Sequence, residues 1–361
     1  MIDTGASVGR DKADRQDWLI LSDSMIPPTF NGDDALMEAG LFVTEFTLPL
    51  VAPTLLLEIR SDDGWPRTFA LFYEPTVGIV LLHRQGRAVA RHILPGSLPD
   101  LKGQARLSYR FDAPARRWDL RFEILGQAED DPLNSVQLAL ARGGDPIPLR
   151  LGDLSALASG TSGAHRDPAI LWFGLSQGRA LPSQLPWIGQ RTPVETSLGP
   201  RMAGQLQPGD LVQDMDGEFV PLRGLRHVDL PSRGSFAPVF LRAPFFGARH
   251  DLLVAADQQI ALTGPEVEYL FGQENVGIKA VDLVDGQTAI LDQRRAMTRA
   301  VALDFGKTVL AMADGCALLC QPNIATAAEP SLHCLHRYEA ITLMTLWGRA
   351  AQGRRTSVRI P

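Results

Sequence analysis

The sequence is poor in cysteine, in long apolar runs and in net positive charge, and each shortage excludes a class of protein. Only three of its 361 residues are cysteines, all late in the chain, which excludes a disulfide framework. The net charge of −6 gives no overall basic field, so we expect no nucleic-acid partner. The longest apolar stretch, residues 41–59, is interrupted by Glu45, Pro49, Pro53 and Glu58. It predicts two strands around a proline turn and no transmembrane segment.

The two ends of the chain are polar. Residues 1–17 are charged and polar, which predicts a flexible N-terminus and not a secretory signal. A cytoplasmic protein is the default expectation, with export independent of a signal peptide left open. Four arginines fall within residues 349–361, which predict a solvated basic tail.

Helical periodicity is nearly missing from the first half. Six strand-like runs follow one another between turn residues, from Thr54 onward, and this spacing predicts an all-β sandwich or barrel. In the clearest pair, Arg106–Phe111 and Trp118–Ile124, apolar and polar residues alternate. We therefore expect each of these strands to have one buried and one wet face. A hairpin turn is expected at residues 85–86.

This half, residues 18–178, resembles the concanavalin-like jelly-roll sandwiches in its strand pattern. The resemblance implies binding or hydrolysis of sugars. Asp119 and Glu123 share a strand face, but four residues separate them by about 13 Å. Glycosidase carboxylates sit about 5–9.5 Å apart, so this pair does not fit a catalytic couple.

The segment "RSDDGWPR" supplies the candidate ligand residues of the sandwich. Trp65 is a candidate platform for stacking a sugar ring, and Asp62, Asp63 and Arg67 are candidate partners for its hydroxyls. An Asp-Asp-Gly turn explains the two acids without a calcium ion. A tryptophan that anchors the loop or packs in the core is the alternative for Trp65.

A proline-rich stretch, residues 179–190, predicts a linker to a second domain at residues 191–348. This domain resembles the Hint (Hedgehog/intein) family, in the bacterial form often found in alphaproteobacteria. Three stretches carry the resemblance in order: "TPVETSLGPRMAGQLQPGDLVQDMDG", "GSFAPVFLRAPFFGARHDLLVAADQQIAL" and "VDLVDGQTAI". The resemblance implies a β-rich horseshoe of short strands. Strand-like runs separated by glycine, proline and aspartate agree with it.

A helix is expected only near the C-terminus. After Ser331, the apolar residues Leu335, Tyr338, Ile341 and Leu343–Met344 recur on one helical face. This spacing predicts a closing helix that packs against the Hint strands.

The Hint resemblance implies self-cleavage by an acyl shift, which needs a Cys, Ser or Thr nucleophile and a later histidine. Alignment on Thr192 places the nucleophile position at Trp187. Alignment on "HDLLVAADQQ" places the histidine position at Gln258, beside Asp257. An indole does not attack a carbonyl, and an amide does not shuttle protons at neutral pH. Thr192, Thr196 and Ser197 are nearby alcohols, but an alcohol without a base is a poor nucleophile.

These substitutions predict a Hint domain that has lost self-processing and acts as a binding or structural module. We expect no cofactor, and a protein or glycan of unknown identity as the partner. The alternative is an autoprocessing protein that cleaves its own peptide bond by an N-to-O or N-to-S acyl shift from a non-standard nucleophile.

Four residues have nearly the spacing of a zinc finger. Cys316, Cys320, His333 and His336 form C-x3-C-x12-H-x2-H, with the last gap one residue short. On a strand the two cysteines lie too far apart to share a metal, whereas on a helix or bent loop they converge. Buried free thiols and loop histidines are the alternative.

Overall fold

A computed structural model describes most of the chain, with side chains up to residue 347: residues 18–24, 35–62, 64–126, 135–181, 186–322 and 332–356. The described residues are mostly β structure with three short helices, which confirms the predicted all-β class. The predicted N-terminal segment, residues 1–17, and the end of the basic tail lie outside them.

The N-terminal half is a two-layer β-sandwich. Its strands are β1 Trp18–Leu21, β2 Leu36–Met37, β3 Ala39–Leu48, β4 Thr54–Ser61, β5 Arg67–Glu74, β6 Gly78–Gln85, β7 Ala88–Pro95, β8 Gly103–Asp112, β9 Arg117–Leu125, β10 Ser135–Gly143, β11 Leu149–Arg150, β12 Ala164–Arg166 and β13 Ile170–Ser176. One layer has the order β1-β13-β3-β8-β9-β10 and the other β12-β4-β5-β6-β7, while β2 and β11 pair separately. The inward side chains of both layers form one apolar core around Phe42, Phe46, Tyr109 and Phe122.

The predicted strands and hairpin of this half are present in register. Strands β8 and β9 pair from Gln104↔Leu125 to Asp112↔Arg117. Strands β6 and β7 turn at the pair Gln85↔Ala88, where Gly86 has a φ of 59°. Glycine reaches this left-handed conformation at little cost, which is why the two-residue turn forms there.

The prediction of a solvent-exposed face on β8 and β9 is wrong at one end of the two strands. Arg106, Ser108 and Glu123 are buried there. The C-terminal half covers this face, since the Arg106 guanidinium lies 5.5 Å from the centroid of the Phe236 ring. Arg106 and Glu123 also form an ion pair of 3.0 Å with each other, which compensates the burial of two charges.

A short helix interrupts the sandwich where the sequence analysis predicts none. Helix α1, Leu151–Ser159, buries Leu151, Leu154 and Leu157 against the core. The three leucines lie three residues apart and so share one face. Gly160 ends the helix in the left-handed conformation, with a φ of 64°. The helix was not predicted because this apolar stripe is short and a Gly/Ser-rich sequence follows it.

The C-terminal half contains two six-stranded sheets and one hairpin. Its strands are β14 Ile188–Gly189, β15 Pro193–Val194, β16 Arg201–Met202, β17 Leu211–Gln213, β18 Phe219–Pro221, β19 Gly224–Pro231, β20 Val239–Leu241, β21 Leu252–Val254, β22 Gln259–Thr263, β23 Asn275–Lys279, β24 Ala289–Leu291, β25 Met297–Asp304, β26 Val309–Ala313 and β27 Cys316–Cys320. The sheets have the orders β19-β25-β14-β21-β20-β24 and β16-β15-β26-β27-β22-β23, and β17 pairs with β18. Strand β14 lies within the stretch that was predicted as a linker.

Two helices accompany these sheets: α2, Pro265–Phe271, and α3, Arg337–Thr356. Helix α3 confirms the predicted C-terminal helix, but two of the residues assigned to its buried face are exposed. Ala340 and Leu343 are buried, whereas Tyr338 and Ile341 are exposed, because packing against α2 and the turn at residues 280–283 selects the neighbouring stripe of the helix. Among the described helices, none is both long and apolar enough for a membrane span.

The two halves are in contact through an apolar cluster. Leu21, Leu41, Val43 and Trp172 from the sandwich pack with Phe236 from the C-terminal half. The rings of Trp172 and Phe236 meet edge to face with centroids 5.9 Å apart, a favourable aromatic geometry. Part of the interface between the halves is therefore a shared hydrophobic cluster.

Candidate functional site

Strand β14 holds the predicted nucleophile position inside a sheet. Ile188 pairs with Val254 of β21 on one side and with Val301 of β25 on the other. The carbonyl of Trp187 accepts a hydrogen bond of 2.9 Å from the backbone N–H of Ala255. The peptide at Trp187 is therefore fixed between two strands, next to the turn that follows β21.

The Trp187 side chain fills an apolar cluster. It is 5 % exposed and groups with Leu230, Ala255, Ala300 and Ala302. Three of these four neighbours are alanines, so the indole supplies most of the volume of the cluster. Burial of a large aromatic side chain stabilises a fold by about 1.5–3 kcal/mol, which gives Trp187 a clear packing role.

Gln258 ties two strands together. It ends the turn that begins at Ala255, to whose carbonyl its N–H donates at 3.1 Å, and it is 1 % exposed. Its side-chain nitrogen donates to the carbonyls of Gln259, at 3.0 Å, and Leu319, at 2.8 Å. A glutamine amide has two N–H donors, and backbone carbonyls of β22 and β27 accept both. The position predicted for a catalytic histidine is thus occupied by an amide whose nitrogen donates to two backbone carbonyls.

The structure brings these predicted positions together. Ala255 links them, because its N–H bonds to Trp187 and its carbonyl accepts the N–H of Gln258. Asp257, the neighbour of Gln258, is half-buried. The two positions thus lie on either side of one turn, and their assignment as nucleophile and histidine positions stays a prediction.

The two threonines near β14 have different roles. The N–H of Thr192 donates to the carbonyl of Gly189 at 2.9 Å, and its Oγ1 lies 3.5 Å from where a Cβ on Gly189 would be. Thr196 donates its hydroxyl proton to the carbonyl of Gly199 at 2.6 Å and accepts the N–H of Leu198 at 3.2 Å. Thr196 thus stabilises a turn, while Thr192 lies against the candidate strand.

A histidine on the same sheet is distant from β14. His227 of β19 is in register with Val301 of β25, which is itself in register with Ile188. Two strand spacings separate His227 from Ile188, on the order of 10 Å, and its side chain is exposed. A general base must reach its proton within about 3 Å or through one water. His227 therefore does not take the place of the histidine that the resemblance implies at residue 258.

Residues 189–318 match the family model of the Hint domain. The chain therefore contains a Hint domain, as its motifs predicted, and the match runs from strand β14 to strand β27. No curated protein gives a significant match to the chain.

The predicted glycan-binding loop of the sandwich is partly exposed. Trp65 is 55 % exposed, and one part of its ring lies against Gly86, where an added Cβ would come within 2.5 Å of it. Asp62 is exposed, and Asp63 lies outside the described residues. The loop-anchoring interpretation and the stacking interpretation of Trp65 are therefore compatible with each other.

Arg67, the fourth candidate of that loop, is engaged within the sandwich. It is buried, and its Nε donates to both carboxylate oxygens of Asp153 in α1, each at 3.1 Å. Its Nη2 donates to the Ser61 hydroxyl at 2.8 Å. Arg67 thus joins β5 to α1, and Trp65 and Asp62 are the exposed members of the predicted site.

The zinc-like spacing falls on a strand. Cys316 and Cys320 begin and end β27, so about 13 Å separates them along the strand, too far for one zinc ion. Burial raises the pKa of both thiols to about 12. His333 and His336 are exposed ahead of α3. Nowhere in the described ranges do three or more His, Cys, Asp or Glu side chains form a group that could hold a metal.

A polar network between the two halves was not predicted from the sequence. Glu45 of β3 is fully buried, and its Oε2 accepts the Trp172 Nε1–H at 2.7 Å and the Ser235 N–H at 2.9 Å. The Ser235 hydroxyl donates to Oε1 of the same carboxylate. Burial raises the pKa of Glu45, and the hydrogen bonds from Ser235 and Trp172 oppose that effect. The sequence feature that could have indicated this network was Glu45, an acid within the largely apolar strand β3.

Two further residues complete this network. Arg106 of β8 donates to the Ser235 hydroxyl at 3.3 Å and to Glu123 at 3.0 Å. Gly234 has a φ of +50°, and a Cβ there would lie 1.8 Å from the Glu45 carboxylate and 2.1 Å from Trp172 Nε1. Glycine is therefore required at residue 234 for the Hint loop to approach the sandwich this closely.

Proposed function

We propose that the Hint domain of this protein has lost self-processing and serves as a binding or structural module together with the sandwich. The observation that carries the proposal is the engagement of Gln258. Both of its amide hydrogens bond to backbone carbonyls, at the position where the resemblance implies the histidine. A neutral amide held in this way has no proton to give to a leaving nitrogen.

The buried indole of Trp187 supports the same proposal. It stands where the resemblance implies a nucleophile and contributes to packing among alanines of β25 and the turn after β21. In this proposal, Trp187 and Gln258 stabilise the Hint domain and do not take part in an acyl shift.

The second candidate function is self-cleavage with a non-standard nucleophile. Thr192 is the first alcohol to consider, because it follows β14 directly and its shift would attack the carbonyl of Arg191, the residue before it. Thr196 is the weaker choice, since its proton is donated to the Gly199 carbonyl. A threonine hydroxyl needs a base to attack a carbonyl at neutral pH, and the amide of Gln258 does not supply one.

The sandwich is the half that we expect to meet the partner. Its strand pattern and the exposed Trp65 support a glycan of the kind that the concanavalin-like resemblance implies, and a protein partner is the other possibility. The Hint domain buries part of the opposite sheet through the cluster around Trp172 and Phe236. In this role it supports the sandwich mechanically.

Intact-mass measurement over several days tests the loss of self-processing. The purified full chain is incubated at neutral pH with dithiothreitol or with hydroxylamine, which trap a thioester or an ester. We expect one unchanged mass in both reagents. A fragment that ends at Arg191, immediately before Thr192, or at Pro186 would overturn the proposal and favour the second candidate.

A further inference from the structure

A cleft of about 310 Å³ lies between the sandwich and the Hint domain. Its lining comes from both halves and includes Gln104, Leu125, Ser235, Ala256, Val281 and Leu291. Ligand pockets commonly occur between domains and have volumes from about 300 Å³ upward. Small and apolar residues dominate the lining, and no charged side chain belongs to it among the described residues.

We propose that Ser235 is an activated nucleophile and that this cleft takes small uncharged carboxylic esters. Ser235 is partly exposed and lines the cleft, while its hydroxyl donates to the fully buried carboxylate of Glu45. A nucleophile bonded to a base, with the base oriented by a third group, is the arrangement of covalent catalysis. The inference goes beyond the proposed function and does not depend on whether the Hint domain cleaves itself.

Glu45 meets the requirements of the general base. Trp172 Nε1 and the N–H of Ser235 fix its Oε2, which leaves Oε1 directed at the Ser235 hydroxyl. Burial raises the pKa of this carboxyl, and a base accepts a proton more readily when its pKa approaches the working pH. The carboxylate therefore combines orientation with increased basicity.

Arg106 assists from the other side of the hydroxyl. Its guanidinium donates to the Ser235 oxygen at 3.3 Å, and a cation beside a hydroxyl favours the negative charge that develops as the proton leaves. The ion pair with Glu123 holds Arg106 in place. Arg106 and Glu45 thus act on the same oxygen, one by its charge and the other by accepting the proton.

The reaction conserves atoms and charge in two steps. In the first, the Ser235 oxygen bonds to the acyl carbon, its proton passes to Glu45, and the alkoxide leaves with that proton as an alcohol. In the second, water attacks the acyl carbon, gives one proton to Glu45, and the carboxylic acid leaves as the Ser235 hydroxyl is restored with that proton. The side-chain amide of Gln104, which lines the cleft, is a donor available for the carbonyl oxygen.

Labelling of the full chain with a small alkyl fluorophosphonate tests the nucleophile. The Ser235 oxygen would bond to phosphorus as fluoride leaves, and the Ser235 proton would pass to Glu45. We expect one adduct per native chain, located at Ser235 by peptide mass mapping and absent from Ser235→Ala. Ser197→Ala, at a serine outside the cleft lining, should label like the wild type.

Glu45→Gln tests the base. Because a positioned base contributes about 10²–10⁴-fold, we expect labelling of this variant to slow at least 100-fold, with a far-ultraviolet spectrum that matches the wild type. If the variant does not fold, wild-type labelling is compared with that of urea-denatured chain, and the native rate should be at least 100-fold higher. Absence of an adduct at Ser235, or equal rates in either comparison, would overturn the inference.

Discussion

The two halves of the molecule bury different ionisable side chains: histidines, acids and arginines in the sandwich, and the three aspartates Asp282, Asp292 and Asp314 in the described part of the C-terminal half. The sandwich buries ionisable groups, both in its core, with His83 and His92, and on the face that it shares with the Hint domain, with Glu45 and Arg106. Around β14, the Hint domain buries the amide of Gln258. The two positions that the Hint resemblance marks, residues 187 and 258, thus hold neutral side chains, whereas the charged cluster of Glu45, Arg106 and Ser235 joins both halves. A family resemblance identifies a framework, while activity must be argued from the site itself.

The largest expected difference between the halves is in their response to acid. Burial lowers the pKa of both His83 and His92 from 6.5 to about 4, and for His83 the neighbouring His92 adds to the effect. The unfolded chain takes up these protons near pH 6.5 and the folded chain only near pH 4. Stability is therefore complete above about pH 6.5 and is lost as the pH falls toward 4, by about 3 kcal/mol per histidine.

Urea unfolding at pH 7.5 and pH 4 measures this loss. The double variant His83→Gln/His92→Gln is the control, and its unfolding free energy should change much less between the two pH values. Glu45 acts in the opposite direction, because a raised folded-state pKa gives stability at low pH that is lost as the pH rises through it. An equal pH dependence in wild type and double variant would contradict the assignment to the histidines.

The next effect concerns the contact between the halves. Gly234→Ala places a Cβ against the Glu45 carboxylate and Trp172 Nε1, at a φ of +50°, and we expect a loss of at least about 3 kcal/mol. Gly272→Ala is the matched control, since its φ is +64° and nothing lies within 4 Å of the added Cβ. It should cost only about 1 kcal/mol. Equal losses in urea unfolding would mean that the approach at Gly234 does not hold the halves together.

A smaller effect distinguishes the cysteines without a change in stability. Cys316 and Cys320 are buried, and burial raises their pKa values to about 12, so almost no reactive thiolate exists at pH 8. Cys334 is half-buried. Titration with a chromogenic disulfide should give one fast thiol per native chain and three in denaturant. Fast reaction of all three in the native protein would place Cys316 and Cys320 at an accessible surface.

Local patterns predicted much of the fold. Strands such as β4 to β7 were predictable because alternation and turn residues depend on nearby sequence. Helix α1 was missed because its apolar stripe contains only three leucines over nine residues, too short a pattern to indicate a helix. In α3, Tyr338 and Ile341 are as apolar as the residues that became buried, and only packing decided which stripe faces inward.

The candidate sites divide in the same way. Trp187 and Gln258 were assigned from the sequence because the Hint motifs set their spacing, and their roles stay predictions. The cluster of Glu45, Arg106 and Ser235 was not assigned, because these residues lie far apart in the chain and meet only when the halves pack together. Alternation assigned Arg106 to a wet face, and no feature within β8 indicates that another domain covers it.

The most direct test of the central claim restores the two positions that the Hint resemblance implies. Wild type, Trp187→Cys, Gln258→His and the double variant are purified, and cleavage between Pro186 and residue 187 is followed by intact mass at neutral pH. We expect an intact wild type, little cleavage in either single variant, and clear cleavage in the double variant. Cleavage of the wild type at this bond, or cleavage of Trp187→Cys alone as fast as the double variant, would contradict it.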